Sequence, residues 1–184
     1  MLYIILGVIM VFWAWMQAAM SKLQKYKKEA RAQWVRVDAL LRTRAQYILE
    51  LLELIDEKGL EAGDLPAEIY ELGGGWRKSD DREVISECAE KVTPLVDRLL
   101  ALAREYPALS KDAAFRDLER NLADTEEEIE LQSGRYNHFI DLYNAHRERP
   151  AIRPQIMILG AIPLRGIQIR PGKPVQPESR EEEE

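Results

Sequence analysis

Two histidines, one cysteine and a dense acidic run are the residues of this chain best suited to chemistry. A di-metal centre in a helical bundle needs Glu-x-x-His pairs projecting inward from facing helices. His138 and His146 are the only histidines, and neither has a glutamate three residues before it; His138 with Asp141 comes nearest to a ligand pair. Nucleophilic catalysis needs a base within hydrogen-bond reach, and neither Ser133 nor Cys88 has one nearby in sequence. The pattern places both histidines on a solvated side. Gly73-Gly74-Gly75 resembles a phosphate cradle but lacks the Lys and Ser/Thr of a P-loop, and no strand precedes it. Glu126, Glu127, Glu128 and Glu130 read as a solvated helix face that, opposite Arg42, Arg44 or Arg120, is able to bridge to a neighbour. No catalytic residue, metal ligand or cofactor site is assigned, and an enzyme or metal protein is the remote reading.

The elements that must position these residues begin with a span. Leu2 to Met20 is nineteen consecutive residues without a charge. At about 1.5 Å per helical residue this reaches roughly 28 Å, close to the ~30 Å hydrocarbon core of a bilayer. Tyr3 near one end and Trp13 and Trp15 toward the other fit interfacial aromatics, with Trp13 rather deep for that place. Lys22, Lys25, Lys27, Lys28 and Arg31 follow at once. The positive-inside rule therefore predicts a cytoplasmic bulk and a short N-terminus outside, a single-pass protein of the cytoplasmic membrane. A cleaved signal would carry its basic residues before the apolar run. Gly7, Ala14 and Ala18 are small residues on the span, and Ala14-xxx-Ala18 is the spacing that lets two helices approach closely.

With 184 residues, of which 32% are charged, the chain has room for one modest domain beside the span. A net charge of −6 argues against nucleic acid as a partner. The basic cluster suits anionic headgroups at about 1 kcal/mol per residue. One cysteine permits no internal disulfide, and Cys88 falls on an apolar stripe as an inert buried thiol.

Apolar residues at Leu23, Tyr26, Ala30, Trp34, Val37, Leu41, Ala45, Ile48, Leu52 and Ile55 repeat every eleven residues, the spacing of a nearly straight helix. No Pro or Gly lies between Gly7 and Gly59. One helix is therefore predicted from the bilayer to Lys58, capped by Gly59 in the left-handed conformation. Residues 59–80 read as a flexible glycine-rich connector, with a short helix at Pro66 to Glu71. Asp80, with Glu83 three residues on, predicts a capped second helix over 81–106, its stripe at Ile85, Cys88, Val92, Leu95, Leu99, Leu102 and Tyr106. A third helix over 111–147 carries Phe115, Leu118, Leu122, Thr125, Ile129, Gln132, Tyr136, Ile140 and Tyr143. Thr125 and Gln132 are polar residues that fix register in its seam. The expected fold is all-α: a transmembrane helix (1–20) continuous with the first of three long antiparallel helices in a coiled-coil-like bundle (21–150), then a Pro-rich tail (151–184). Within that tail Ile156 to Leu159 and Ile167 to Ile169 are apolar enough to dock on the bundle, a neighbouring subunit or the membrane, whereas residues 171–184 have a disordered composition.

Three places resemble the LemA family of bacterial membrane proteins. Trp34-Val35-Arg36-Val37-Asp38, with Leu41, Arg42 and Arg44, is similar to the family's first motif. The stretch from Leu99 to Tyr106-Pro107 and Leu109 is similar to its Tyr-Pro-x-Leu segment. Thr125-Glu126 and the doublets Tyr136-Asn137 and Tyr143-Asn144 resemble its last long helix. His146 to Pro150 replaces a more apolar ending, and the tail departs from the pattern. The resemblance implies an N-terminal anchor and a helical bundle, and no catalytic residues. Together these readings predict a non-enzymatic scaffold that self-associates, with a ring or cage suited to its features. A membrane-tethered adaptor for another protein, with Trp76 as a contact, is the alternative.

Overall fold

The computed structural model describes residues 1–77, 79, 81–150, 152, 153, 156, 157, 160–167 and 169, without the side chains of residues 2, 19 and 74–77. The described residues are all-helical: α1 (Leu2–Glu57), α2 (Leu65–Arg77), α3 (Arg82–Glu105), α4 (Pro107–Ser110) and α5 (Ala113–Arg147). Asp80, the side chain of Trp76 and residues 171–184 lie outside this description. The chain divides into two compact units, Met1–Arg36 with Ser133–Gly166, and Val37–Gln132 with Ile167–Glu184.

α1 continues unbroken from the apolar segment through the basic cluster, as a sequence without internal Pro and with no Gly after Gly7 allows. Gly59 ends it at φ +72°. The Gly59 N–H reaches the Asp56 carbonyl at 3.0 Å and the Leu60 N–H the Ile55 carbonyl at 3.1 Å, the paired bonds of a Schellman cap. α3 starts one residue later than the sequence suggests: Asp81 is the N-cap, and its carboxylate accepts from the Glu83 N–H at 2.9 Å. Proline at the first position of α4 forfeits no helical hydrogen bond.

Within the Val37–Gln132 unit every helix supplies core residues. Ile48, Leu51, Leu52 and Ile55 from α1 meet Leu65 and Ile69 from α2, Val96, Leu99 and Ala103 from α3, Leu109 from α4, and Phe115, Leu118 and Leu122 from α5. Interhelical bonds fix the directions. Arg44 meets Ala89 and Thr93 while Lys58 meets Tyr106, so α3 runs parallel to α1. Arg44 meets Glu126 while Lys58 meets Asp112, so α5 runs antiparallel. α2 makes the return between them. Pro66 lies with Ile55 and Leu60, and Gly73 lies with Leu41 and Arg44.

The expected three antiparallel long helices are thus corrected here to an up-down-up-down set of four. The connector also proves helical through Gly73, Gly74 and Gly75. Glycine disfavours helix by about 1 kcal/mol per residue, but Leu65 and Ile69 on α2 are buried in the core and offset that cost. The expected α3 stripe holds at Ile85, Val92 and Leu99, with Leu95 and Tyr106 packed against the core, but not throughout. Leu102 is exposed and Cys88 half-buried, while Ser86, Ala89, Thr93, Val96 and Ala103 are buried. The face with small and hydroxyl side chains turns inward because it must accommodate a guanidinium.

In the other unit, Leu23, Tyr143, Ile152 and Ile156 form a second core, with Met20, Tyr26, Ala161 and Leu164 packed against it. Of the apolar tail residues, Ile152 and Ile156 are buried in this unit, and Ile167 and Ile169, which belong to the Val37–Gln132 unit, are also buried; Ile158, Leu159 and Gln168 lie outside the described residues.

Candidate functional site

Arg44 is the central polar residue of the Val37–Gln132 unit. It sits on the inner face of α1, three residues after Leu41, and its side chain is 3% exposed. Its Nη2 donates to Thr93 Oγ1 at 2.9 Å, its Nη1 to the Ala89 carbonyl at 3.4 Å, and its Nε lies 2.6 Å from Glu126 Oε1. Burial pulls the guanidinium below its ordinary value, and the charges of Glu126 and Asp97 oppose that shift. An arginine starts so far above neutrality that it stays charged. The arrangement ties α1, α3 and α5 together. Thr125, next to Glu126, is buried and returns its hydroxyl to the Asn121 carbonyl at 2.6 Å, so it imposes no unpaired donor on the seam.

Beside this node lies an apolar cavity of about 90 Å³, lined by residues including Leu41, Ala45, Ile48, Ile69, Cys88 and Val92. Cys88 borders that space rather than being sealed in the core. Among the described residues, no group of three His, Cys, Asp or Glu side chains is placed to hold a metal.

The second constellation belongs to α5 and the segment that returns along it. Asn144 donates through Nδ2 to the Leu164 carbonyl at 2.8 Å and accepts through Oδ1 from the Leu164 N–H at 3.1 Å. One side-chain amide thus satisfies both main-chain groups of one residue. Tyr143 Oη donates to the Ile162 carbonyl at 3.4 Å, Arg147 Nε to the Ala161 carbonyl at 3.1 Å, and Tyr136 Oη to the Arg165 carbonyl at 3.4 Å. Every one of these contacts is to the main chain. A Cβ at Gly166 would lie 2.8 Å from Asn137 Oδ1, so the close approach there requires glycine or a displaced asparagine. Two tyrosines and two asparagines seven residues apart lie on one helix face, which is why the doublets share this task.

The remaining motif residues take structural places. Trp34 is buried with its ring 5.8 Å from that of Tyr136. Asp38 accepts from Arg42 Nε at 2.9 Å one turn on. Tyr106 Oη donates to the Lys58 carbonyl at 3.3 Å, and Pro107 opens α4. A LemA family profile matches residues 33–153. The chain belongs to the LemA family. No curated protein matches it. The first and last of the three LemA motifs, about ninety residues apart in sequence, meet in the Arg44–Glu126 pair and the Trp34–Tyr136 contact.

On the apolar segment, Gly7, Trp13, Ala14, Trp15 and Ala18 are exposed, and the same holds for Lys22, Lys25, Lys27, Lys28 and Arg31. α1 is long and apolar enough to cross a membrane. Two residues are less exposed than the sequence reading expects, although that reading already names Arg44 as a partner for the acidic run. His146 is buried rather than solvated, its ring 6.0 Å from Tyr26 and edge-on. Glu126 is half-buried opposite Arg44, although the acidic run reads as a uniformly wet face. A signal for that pair does exist: Arg44 falls inside the apolar stripe, where an unpaired charge is not tolerated.

Proposed function

We propose that this LemA-family protein is a non-enzymatic, single-span scaffold of the cytoplasmic membrane that associates with copies of itself. The observation that carries the reading is α1. A single helix supplies the exposed apolar segment at Leu2 onward and the core residues from Val37 to Ile55. The apolar segment would cross the bilayer with its short N-terminus outside. The basic residues from Lys22 to Arg31 would lie against anionic headgroups on the cytoplasmic side. The open face at Gly7, with Ala14 and Ala18, allows a second span to approach. An anchor that is also a bundle helix would couple packing of the spans to packing of the bundles, as a ring or cage requires. Native mass spectrometry of the protein in lipid nanodiscs is expected to give oligomers. Lys22→Pro should break the coupling, reducing assembly while leaving insertion intact. A monomer at all concentrations would overturn the scaffold reading.

The apolar cavity bordered by Ile69 and Cys88 favours a second reading, a tethered adaptor that admits a side chain of another protein. Ile69→Trp, which fills that space, should then remove a co-purifying partner without changing self-association.

A further inference from the structure

Among the described residues of the turn after α5, some apolar side chains are covered and others are not. Ile152 and Ile156 are buried with Leu23 and Tyr143, and Met20, Tyr26, Ala161 and Leu164 complete that cluster. Met157 and Ile162, by contrast, are 85% and 75% exposed. Among the described residues after Trp15 no other large apolar side chain is as exposed; Val35, at 66%, is next. The turn is a built one. The Ile156 N–H reaches the Ile152 carbonyl at 3.1 Å, and the Ala161 N–H closes on the Ile156 carbonyl at 3.4 Å. Gly160 at φ +61° makes that closure possible.

The place of this turn is fixed by what it packs on. Met20 is the last apolar residue before Lys22, and Leu23 follows it by about 4.5 Å along the helix axis. The headgroup layer on each side of a bilayer is roughly 5–8 Å deep. A turn packed on Met20 and Leu23 therefore stands at headgroup level. Its charge suits that level. Residues 20–31 and 148–162 contain seven basic residues, Arg149 and Arg153 among them, against the two acidic residues Glu29 and Glu148. Lys22, Lys25, Arg149 and Arg153 are all exposed.

We propose that the turn from Ile152 to Ile162 is a second membrane contact, with Met157 and Ile162 entering the bilayer interface beside the exit of the span. The partner is a lipid surface carrying anionic headgroups. This rests on the reading of Leu2–Met20 as a membrane span, and supplies what a span alone lacks. One helix can tilt and rotate in a bilayer, whereas a helix with an apolar foot at its exit has a fixed azimuth.

The test uses the full chain with Cys88→Ser and a single new cysteine at Met157, Ile162 or Trp13, each labelled with an environment-sensitive fluorophore. The proteins are reconstituted in phosphatidylcholine–phosphatidylglycerol vesicles. Labels at 157 and 162 should shift to the blue and be quenched at least about twofold by a lipid with a spin label at roughly 5–10 Å depth. A label at 13 should be quenched by a spin label near the acyl-chain end. If the label at 13 is quenched and those at 157 and 162 are not, the foot is overturned and the span stands. A blue shift at 157 and 162 without lipid quenching also overturns the foot, because protein then covers it. No quenching at 13 overturns the span itself, and the foot with it.

Discussion

In the Val37–Gln132 unit four helices interlock through apolar side chains around a buried ion pair. In the Met1–Arg36 and Ser133–Gly166 unit a non-helical segment is held by side chains that grip its main chain. The first mode depends on the shape and charge of every participant. The second adds to apolar packing of Ala161 and Leu164 a set of bonds from Tyr136, Tyr143, Asn144 and Arg147 that read only main-chain groups. A tail can therefore diverge in sequence while the residues that hold it stay the same.

The sharpest way to separate the two modes is to damage one and watch the other. Phe115 is 1% exposed in the core of the four-helix unit. Phe115→Ala is expected to cost about 3–5 kcal/mol in urea unfolding of the full chain in detergent. Glu126→Leu should cost about 3 kcal/mol, because it strands the Arg44 charge in the interior. Adding Arg44→Met to that variant should restore stability to within about 1 kcal/mol of the parent, since an apolar pair can replace a buried ion pair. If the double variant were as weak as the single one, the pair would be more than a substitute for apolar packing.

Asn144→Ala probes the other mode and should act locally, by roughly 1–2 kcal/mol for two lost hydrogen bonds. Hydrogen exchange of the Leu164 amide should accelerate while the urea midpoint of the four-helix unit stays put. A large fall in that midpoint would show the two modes to be energetically one. The smallest effect is electrostatic. Asp112 is held below its ordinary carboxylate value, first by its hydrogen bond from Lys58 and then by the Ala114 N–H. Lys58 is correspondingly raised by Asp112. The Asp112 contribution is therefore present above its unfolded value and lost as pH falls through its depressed folded value. The Lys58 contribution is present below its unfolded value and lost as pH rises through its raised folded one. Asp112→Asn should flatten the acid limb of a stability–pH curve slightly, and salt should shrink the difference.

The long stripes were legible because α1 and α5 bury one face against several partners over many turns. From Leu23 to Ile55 and from Phe115 to Tyr143 the apolar period alone identifies nearly every buried position. Of α2 only the stretch from Pro66 to Glu71 was legible, because its glycines disfavour helix locally and the burial of Leu65 and Ile69 overrides them. That one omission also reversed the direction inferred for α3. The inward face of α3 was legible at Ile85, Val92 and Leu99 but not at Ser86 and Thr93, whose hydroxyls carry no apolar signal; Thr93 is inside where it accepts from Arg44. The partnership of Asn144 with Leu164 has no periodic signature at all, since a side chain reading a backbone leaves nothing in the partner's sequence to recognise.

The order of the helices has a consequence for synthesis. α1 is synthesised before α2 and α3, and α5, its antiparallel partner, follows them. Ninety residues separate Glu57 from Arg147. At about 5–20 residues per second, the stripe from Val37 to Ile55 waits roughly 5–18 s for that partner. During that interval the nascent protein displays the apolar stripe of α1 without its antiparallel partner, and chaperones have that long to cover it.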